Sequence, residues 1–180
     1  MAGCISFLAA FISFQHVVDQ SSNVGQGENP ARQGKGSLEI MDNLHFKTAK
    51  ALAALIKSKQ ISCTELLEHF LTRTATHNPK LNAIIWMNKD AAMQRAREAD
   101  DALARGEDWG PLHGLPMTIK ESYEVAGSPT TWGVPDLKDN VTETSALAVQ
   151  RFEAAGAIIF GKTNVPIHLA DWQSFNAIYG

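Results

Sequence analysis

Residues 156–163 read Gly156-Ala-Ile-Ile-Phe-Gly161-Lys162-Thr163. The letters satisfy the phosphate-loop pattern G-x-x-x-x-G-K-[ST], in which the backbone N–H groups of an exposed loop and a lysine surround a phosphate. In that pattern the residues between the glycines follow a strand. Here they are Ala157–Phe160, a four-residue apolar run of the buried-strand type. Upstream, Ala148, Val149, Phe152 and Ala155 fall on one face of a helix over Thr144–Ala155, and Gly156 is placed to cap it. The stretch therefore predicts helix, turn and strand, with the apparent phosphate loop being the strand itself and no ATP site.

A second short strand precedes that helix. Gly110–Pro116 is too rich in Gly and Pro for a helix, and Met117-Thr-Ile-Lys120 reads as a brief buried strand. Strand, helix and strand make a βαβ unit with parallel strands and a right-handed crossover, so the fold class is α/β. A lysine at the end of a buried strand is costly: Lys120 either pairs with an acid or gives up its proton and becomes a base, unless it is simply a partly exposed strand-end charge, the commoner case for a lysine without further context. Glu121 alternates to the opposite face and is not an automatic partner. Tyr123–Gly133 is turn-rich, with hydroxyls at Ser128, Thr130 and Thr131, and loops of this kind at strand ends line ligand clefts.

The preceding part reads as helical. Lys47–Lys57 carries a stripe of Ala51, Leu52, Leu55 and Ile56. Ser62-Cys-Thr-Glu65 is a capping box opening a helix from Cys63 to about His77, with Leu66, Leu67, Phe70 and Leu71 inward and Pro79 beyond its end. Cys63 reads as a structural thiol. Leu81–Met87 is a short strand, and Lys89–Arg105 is a helix whose alternating charges form a solvated face, closed by Gly106 in the left-handed conformation.

Composition excludes several classes. A net charge of −3 without a dense Lys/Arg cluster argues against nucleic acid as a partner. Two distant cysteines, Cys4 and Cys63, give neither a disulfide framework nor a zinc knuckle, and the histidines show no ligand spacing, so no metal is expected. Reduced thiols fit a cytoplasmic location, with secretion the weaker alternative. Cys4–Phe14 is apolar but about half as long as a bilayer crossing needs, so no membrane span is expected. Ser21–Ser37 is linker-like. Met1–Ile40 reads as a disordered or mis-assigned extension, and Met41 as the opening of the structured part.

The segments GPLHGLPMTIKESYEVAG, TTWG and AGAIIFGKTN together resemble the amidase signature family, whose members carry GPLHG-[IV]-P-x-x-x-K-D, AG-x-x-TT-x-G and AGA-x-x-x-GKTN in this order. The resemblance covers Met41–Gly180 and implies an incomplete α/β/α amidase-signature fold with a mixed sheet and a helical amino-terminal part, the truncated beginning of an amidase domain. It implies amide C–N hydrolysis through a Ser-cisSer-Lys triad, with Lys120 as the catalytic base, a small-molecule amide as substrate and no cofactor. Of that triad only Lys120 stands within these residues. Ser122, Ser128 and Ser174 lack the glycine-rich setting of the family's serines, so the fragment alone is expected to be inactive. Glu121 stands where the family usually has Asp, and Ile167 and His168 where a Glu is common after the proline. The alternatives are a non-catalytic product acting by binding and a protein like the family's amidotransferase subunits; a homo-oligomer is left open.

Overall fold

The computed structural model describes residues 43–180. Expectations for Met1–Ile40, and for Met41 as the start of the structured part, fall outside them. The chain divides into Met1–Phe46, of which the described part is a 3-10 turn at Leu44–Phe46, and a compact unit, Lys47–Gly180. In the larger unit the order is α1 (Ala49–Lys57), α2 (Cys63–Leu81), β1 (Ile84–Met87), α3 (Lys89–Ala104), β2 (Pro116–Lys120), α4 (Leu147–Ala154) and β3 (Ile158–Thr163).

The sheet is mixed. Its order is β1-β3-β2, with β3 central, antiparallel to β1 and parallel to β2. The parallel pair joined through α4 is the βαβ unit read from the sequence. Register runs from Pro116 beside Ile158 to Lys120 beside Thr163, with an irregularity that leaves Phe160 without an opposite residue on β2. The strand expected over 157–160 extends through Gly161-Lys162-Thr163, because these residues pair on both sides with β1 and β2.

Capping chemistry fixes the helices. Thr48 caps α1 by accepting from the Ala51 N–H, and the box at α2 forms, Ser62 and Glu65 satisfying each other's N–H groups. Burial on α1 falls on Leu52, Ala53 and Ile56, while Ala51 is exposed, so the stripe lies one residue off its expected line. The second helix does not stop before Pro79. It runs to Leu81 with the proline in its last turn, where a missing N–H forfeits a single bond. Asn82, at φ 48°, ends it, and the Asn78 side chain bonds both the N–H and the carbonyl of Ile84 at 2.8 Å. Hence β1 begins at Ile84 and not at Leu81. The last helix starts at Leu147, later than the expected 144, because the Ser145 hydroxyl accepts from the Ala126 N–H and the Ala146 N–H donates to the Glu124 carbonyl.

The face of α3 is less uniformly solvated than its charges suggest. Ala92, Ala96, Ala99 and Ala102 are buried, and two of the charged residues turn inward. Asp100 accepts from the N–H groups of Cys63 and Thr64 and from the Thr64 hydroxyl, at 2.6, 3.1 and 2.9 Å, capping the start of α2 from another element. Arg95 lies 4.4 Å from the Trp109 ring centroid and donates to the Glu153 carbonyl. Cys63 is buried, and burial pushes its thiol well above the usual range, in line with a structural thiol. Among the described residues no helix is long and apolar enough to cross a membrane.

The turn before β2 is pressed onto the end of α4. Leu112 N–H donates to Ala155 O, Gly114 N–H to Gly156 O and Ile158 N–H to Leu115 O. His113, fully buried, accepts from the Trp109 N–H at 3.0 Å and donates from Nε2 to the Ala99 carbonyl at 3.0 Å. Gly114, at φ +70°, leaves no room for a side chain: an added Cβ would sit 2.1 Å from Cys63 Sγ and 3.0 Å from its Cβ.

Gly114→Ala is expected to cost about 2–4 kcal/mol, combining backbone strain with a clash in the core. Urea denaturation checks it, and Cys63→Ala in the same chain should recover the clash share while leaving the strain. A loss under about 0.5 kcal/mol would show that this turn is not constrained as described.

Candidate active site

Lys120 closes β2 and is exposed, whereas Ile119 before it and Glu121 after it are buried. Alternation along the strand puts Lys120 on the face away from those two neighbours. Its ammonium has no hydrogen-bond or ion-pair partner among the described residues. The lysine is held by its backbone: Ile119 pairs beside Lys162 and Lys120 beside Thr163, and the Tyr123 N–H donates to the Lys120 carbonyl. Behind it, Ile119 joins Val125 and Val149 in a buried cluster, with Met117, Tyr123, Phe152 and Ile159 packed around them.

The buried lysine of this region is Lys162. It has no exposed surface, and its Nζ donates to Ser128 Oγ at 3.2 Å, to the Pro129 carbonyl and to Thr130 Oγ1 at 2.8 Å. Three N–H bonds thus meet three oxygens. Burial pulls its pKa down to about 8, while Glu121 and Glu124 oppose that shift. The ammonium is committed inside the fold, and the GKT letters lie within a strand, so the setting of a phosphate loop is not present at Gly156–Thr163.

Glu121 grips the same loop from its other end. The carboxylate, fully buried, accepts from the Thr131 N–H and, at 3.0 Å, from the Trp132 N–H, with Tyr179 Oη at 3.4 Å. Thr131 in turn accepts from the Gly133 N–H at 3.1 Å. At the end of the stretch so held, Trp132 takes φ 55° and is 45% exposed. Its carbonyl accepts from the His168 N–H, and His168 and Leu169 are also left-handed, at φ 53° and 60°, in a short turn at Ile167–Leu169. A cleft of about 480 Å³ opens beside these segments, lined among others by Ser122, Tyr123, Glu124, Thr130, Trp132 and His168. Lys120 does not line it.

The hydroxyl-bearing loop of 123–133 is thus a cleft wall, as its composition suggests, but two of its hydroxyls, Ser128 and Thr130, also face inward to solvate a lysine. Sequence reasoning assigned neither Glu121 nor Lys162 this work. The available signal was a charged residue inside or directly after an apolar strand run, with a hydroxyl-rich loop nearby to receive it.

The C-terminal segment is tied to the sheet by three asparagines. Asn176 Nδ2 donates to Asn164 Oδ1 at 3.0 Å and to the Val165 carbonyl at 2.7 Å, and its Oδ1 accepts from the Ile178 and Tyr179 N–H groups. Asn164 Nδ2 donates to the carbonyls of Asn82 and Gly180, and Asn82 Nδ2 to that of Tyr179.

Comparison with known proteins identifies the family and the fold. The family model described as Amidase matches residues 65–180. An acylamidase of Rhodococcus erythropolis is 38% identical over 138 residues, which are 77% of this chain and 29% of the relative. A glutamyl-tRNA(Gln) amidotransferase subunit of Acidothermus cellulolyticus is 34% identical over 140 residues, 78% of this chain and 28% of the relative. A solved fatty acid amide hydrolase superposes with a TM-score of 0.72 at 20% identity, covering 88% of this chain and 30% of its own, a likeness of fold. The chain thus spans less than a third of the length of these relatives.

Lys162→Met should destabilise the chain by about 2–4 kcal/mol, since it strands the buried oxygens that the ammonium serves. The sign of the pH effect is fixed by the lowered pKa. With a folded value of about 8 against 10.5, the unfolded chain holds more protons between these limits, so this group favours folding increasingly as pH rises through 8 to 10.5. Wild-type stability minus that of Lys162→Met, read by denaturant titration at several pH values, should grow across that window by on the order of 3 kcal/mol. A flat difference would mean that Lys162 titrates normally.

Proposed function

The chain belongs to the amidase signature family, and from that membership we propose that the whole protein hydrolyses the C–N bond of a small-molecule amide through a Ser-cisSer-Lys triad in which Lys120 is the base. The observation that carries this reading is the placement of Lys120: the terminal residue of β2 in the GPLHGLPMTIK motif, fixed by its backbone, with an ammonium that no described residue engages. A lysine so presented can be desolvated by the rest of the protein and lose its proton. The neutral amine then accepts the proton of a bridging serine, which in turn activates a serine nucleophile for attack on the amide carbonyl. The attacked carbonyl becomes an oxyanion, for which backbone N–H groups are the usual support. Of the triad, residues 1–180 contain the lysine. Ser122, Ser128 and Ser174 lie outside any glycine-rich loop, and Ser128 donates to the Val125 carbonyl at 2.6 Å while accepting from Lys162, which supports the reading that residues 1–180 alone are inactive.

A second reading keeps the chemistry and changes its setting. The likeness to an amidotransferase subunit favours a protein that works with partner subunits, and a tagged whole protein that brings down stoichiometric partners would select this reading. A cytoplasmic location belongs to the first reading, which leaves a homo-oligomer open.

Lys120→Ala in the whole protein should lower kcat/KM for amide hydrolysis by about 10²–10⁴-fold, whereas in residues 1–180, where the side chain is exposed, it should leave the thermal unfolding temperature unchanged. Turnover within threefold of wild type would remove Lys120 from the mechanism.

A further inference from the structure

We propose that Glu121 is a positioning residue for this amide-hydrolysing site, acting with Lys162 to hold the 128–132 loop in one conformation beside the strand end that carries Lys120. The inference rests on the reading of Lys120 as the base. Its physical basis is the way two buried charges divide one loop. Lys162 takes the oxygens of Ser128, Pro129 and Thr130, and Glu121 takes the N–H groups of Thr131 and Trp132. Five consecutive residues are therefore fixed by donors and acceptors of the right sense, and the two charges make no ion pair with each other at contact distance. Neither arrangement is needed to terminate a strand. A plain turn would satisfy the same backbone groups with water at the surface, whereas burying a carboxylate and an ammonium to do so is costly unless one conformation is required.

The grip reaches the proposed base through one peptide link. Glu121 adjoins Lys120, its N–H donates to the Thr163 carbonyl of β3 at 3.0 Å, and its side chain also meets Tyr179 Oη. The carboxylate thus joins the end of β2, the loop and the C-terminal segment at one point. The left-handed Trp132, whose own N–H Glu121 holds, is the residue that a loosened loop would release first, since φ 55° is unfavourable for a tryptophan without that bond. Charge-assisted N–H bonds are short and strong, so the role requires a carboxylate and not merely an acceptor.

Amide hydrogen exchange by NMR on residues 1–180, together with turnover by the intact protein using ammonia release from benzamide as the probe reaction, tests the proposal. In the wild type the Thr131 and Trp132 amides should exchange at least a hundredfold more slowly than an unprotected loop amide. Glu121→Gln should speed those two by tenfold or more without changing amides in α2 and α3, and should lower kcat at least thirtyfold with KM within threefold. Glu121→Asp should restore most of both. Unprotected Thr131 and Trp132 in the wild type overturn the proposal without any variant. So does a loosened loop with unchanged kcat, or a lowered kcat with unchanged exchange. Lys120→Ala run beside them separates the premises: full turnover there removes the base assignment, while the paired Glu121 readouts still decide the positioning role.

Discussion

An ammonium in the middle of a central strand is the constraint from which most of this structure follows. Lys162 pairs through its backbone with both neighbours, so its side chain cannot reach water by bending the strand. The oxygens must come to it. The loop after β2 supplies them by folding back over the sheet, and Glu121 holds the far side of that loop, so the C-terminal ends of the two parallel strands are closed by an ordered polar structure. Among the described side chains no buried nitrogen or oxygen is left without a partner, which is the condition under which buried charges are tolerable.

The opposite end of the βαβ unit is organised by close approach instead of charge. The turn at Gly110–Leu115 runs against the junction of α4 and β3 with backbone bonds at 2.8–2.9 Å. A Cβ on Gly156 would lie 2.7 Å from the His113 Cα, so the contact depends on its absence. His113 then ties this turn to α3, and Asp100 ties α3 to α2. The helical part is thereby fastened to the sheet by polar side chains at its corners as well as by apolar packing between them.

These corners explain what could be read in advance. Elements whose fate is settled by nearby residues were legible: the capping box at Ser62 and Glu65, the left-handed Gly106, the apolar run at 157–160 and the parallel pairing that a βαβ order enforces. The family resemblance implied the mixed sheet, and the apolar run before it put Lys120 at a strand end. What stayed hidden depends on partners distant in sequence. Asp100 lies in a charged helix that looks solvated, and only the folded chain brings it to Cys63, 37 residues away. Lys162 finds its oxygens 32–34 residues upstream. Pro79 departs from expectation for the contrary reason: a strong local rule about proline yields at a last turn, where little remains to be broken.

The three asparagines that tether the C-terminal segment make its attachment depend on one kind of functional group. Each works because an amide carries donors and an acceptor on one planar group. Asn164 points its NH₂ at two carbonyl oxygens, and Asn82 points its own at a third. Replacing either amide by a carboxylate of the same shape would set a negative oxygen against carbonyls it formerly served. The hold on the 176–180 stretch would then fall to Asn176, whose Nδ2 donates to Asn164 Oδ1 and to the Val165 carbonyl, so the tether would weaken at one point and not part as a whole.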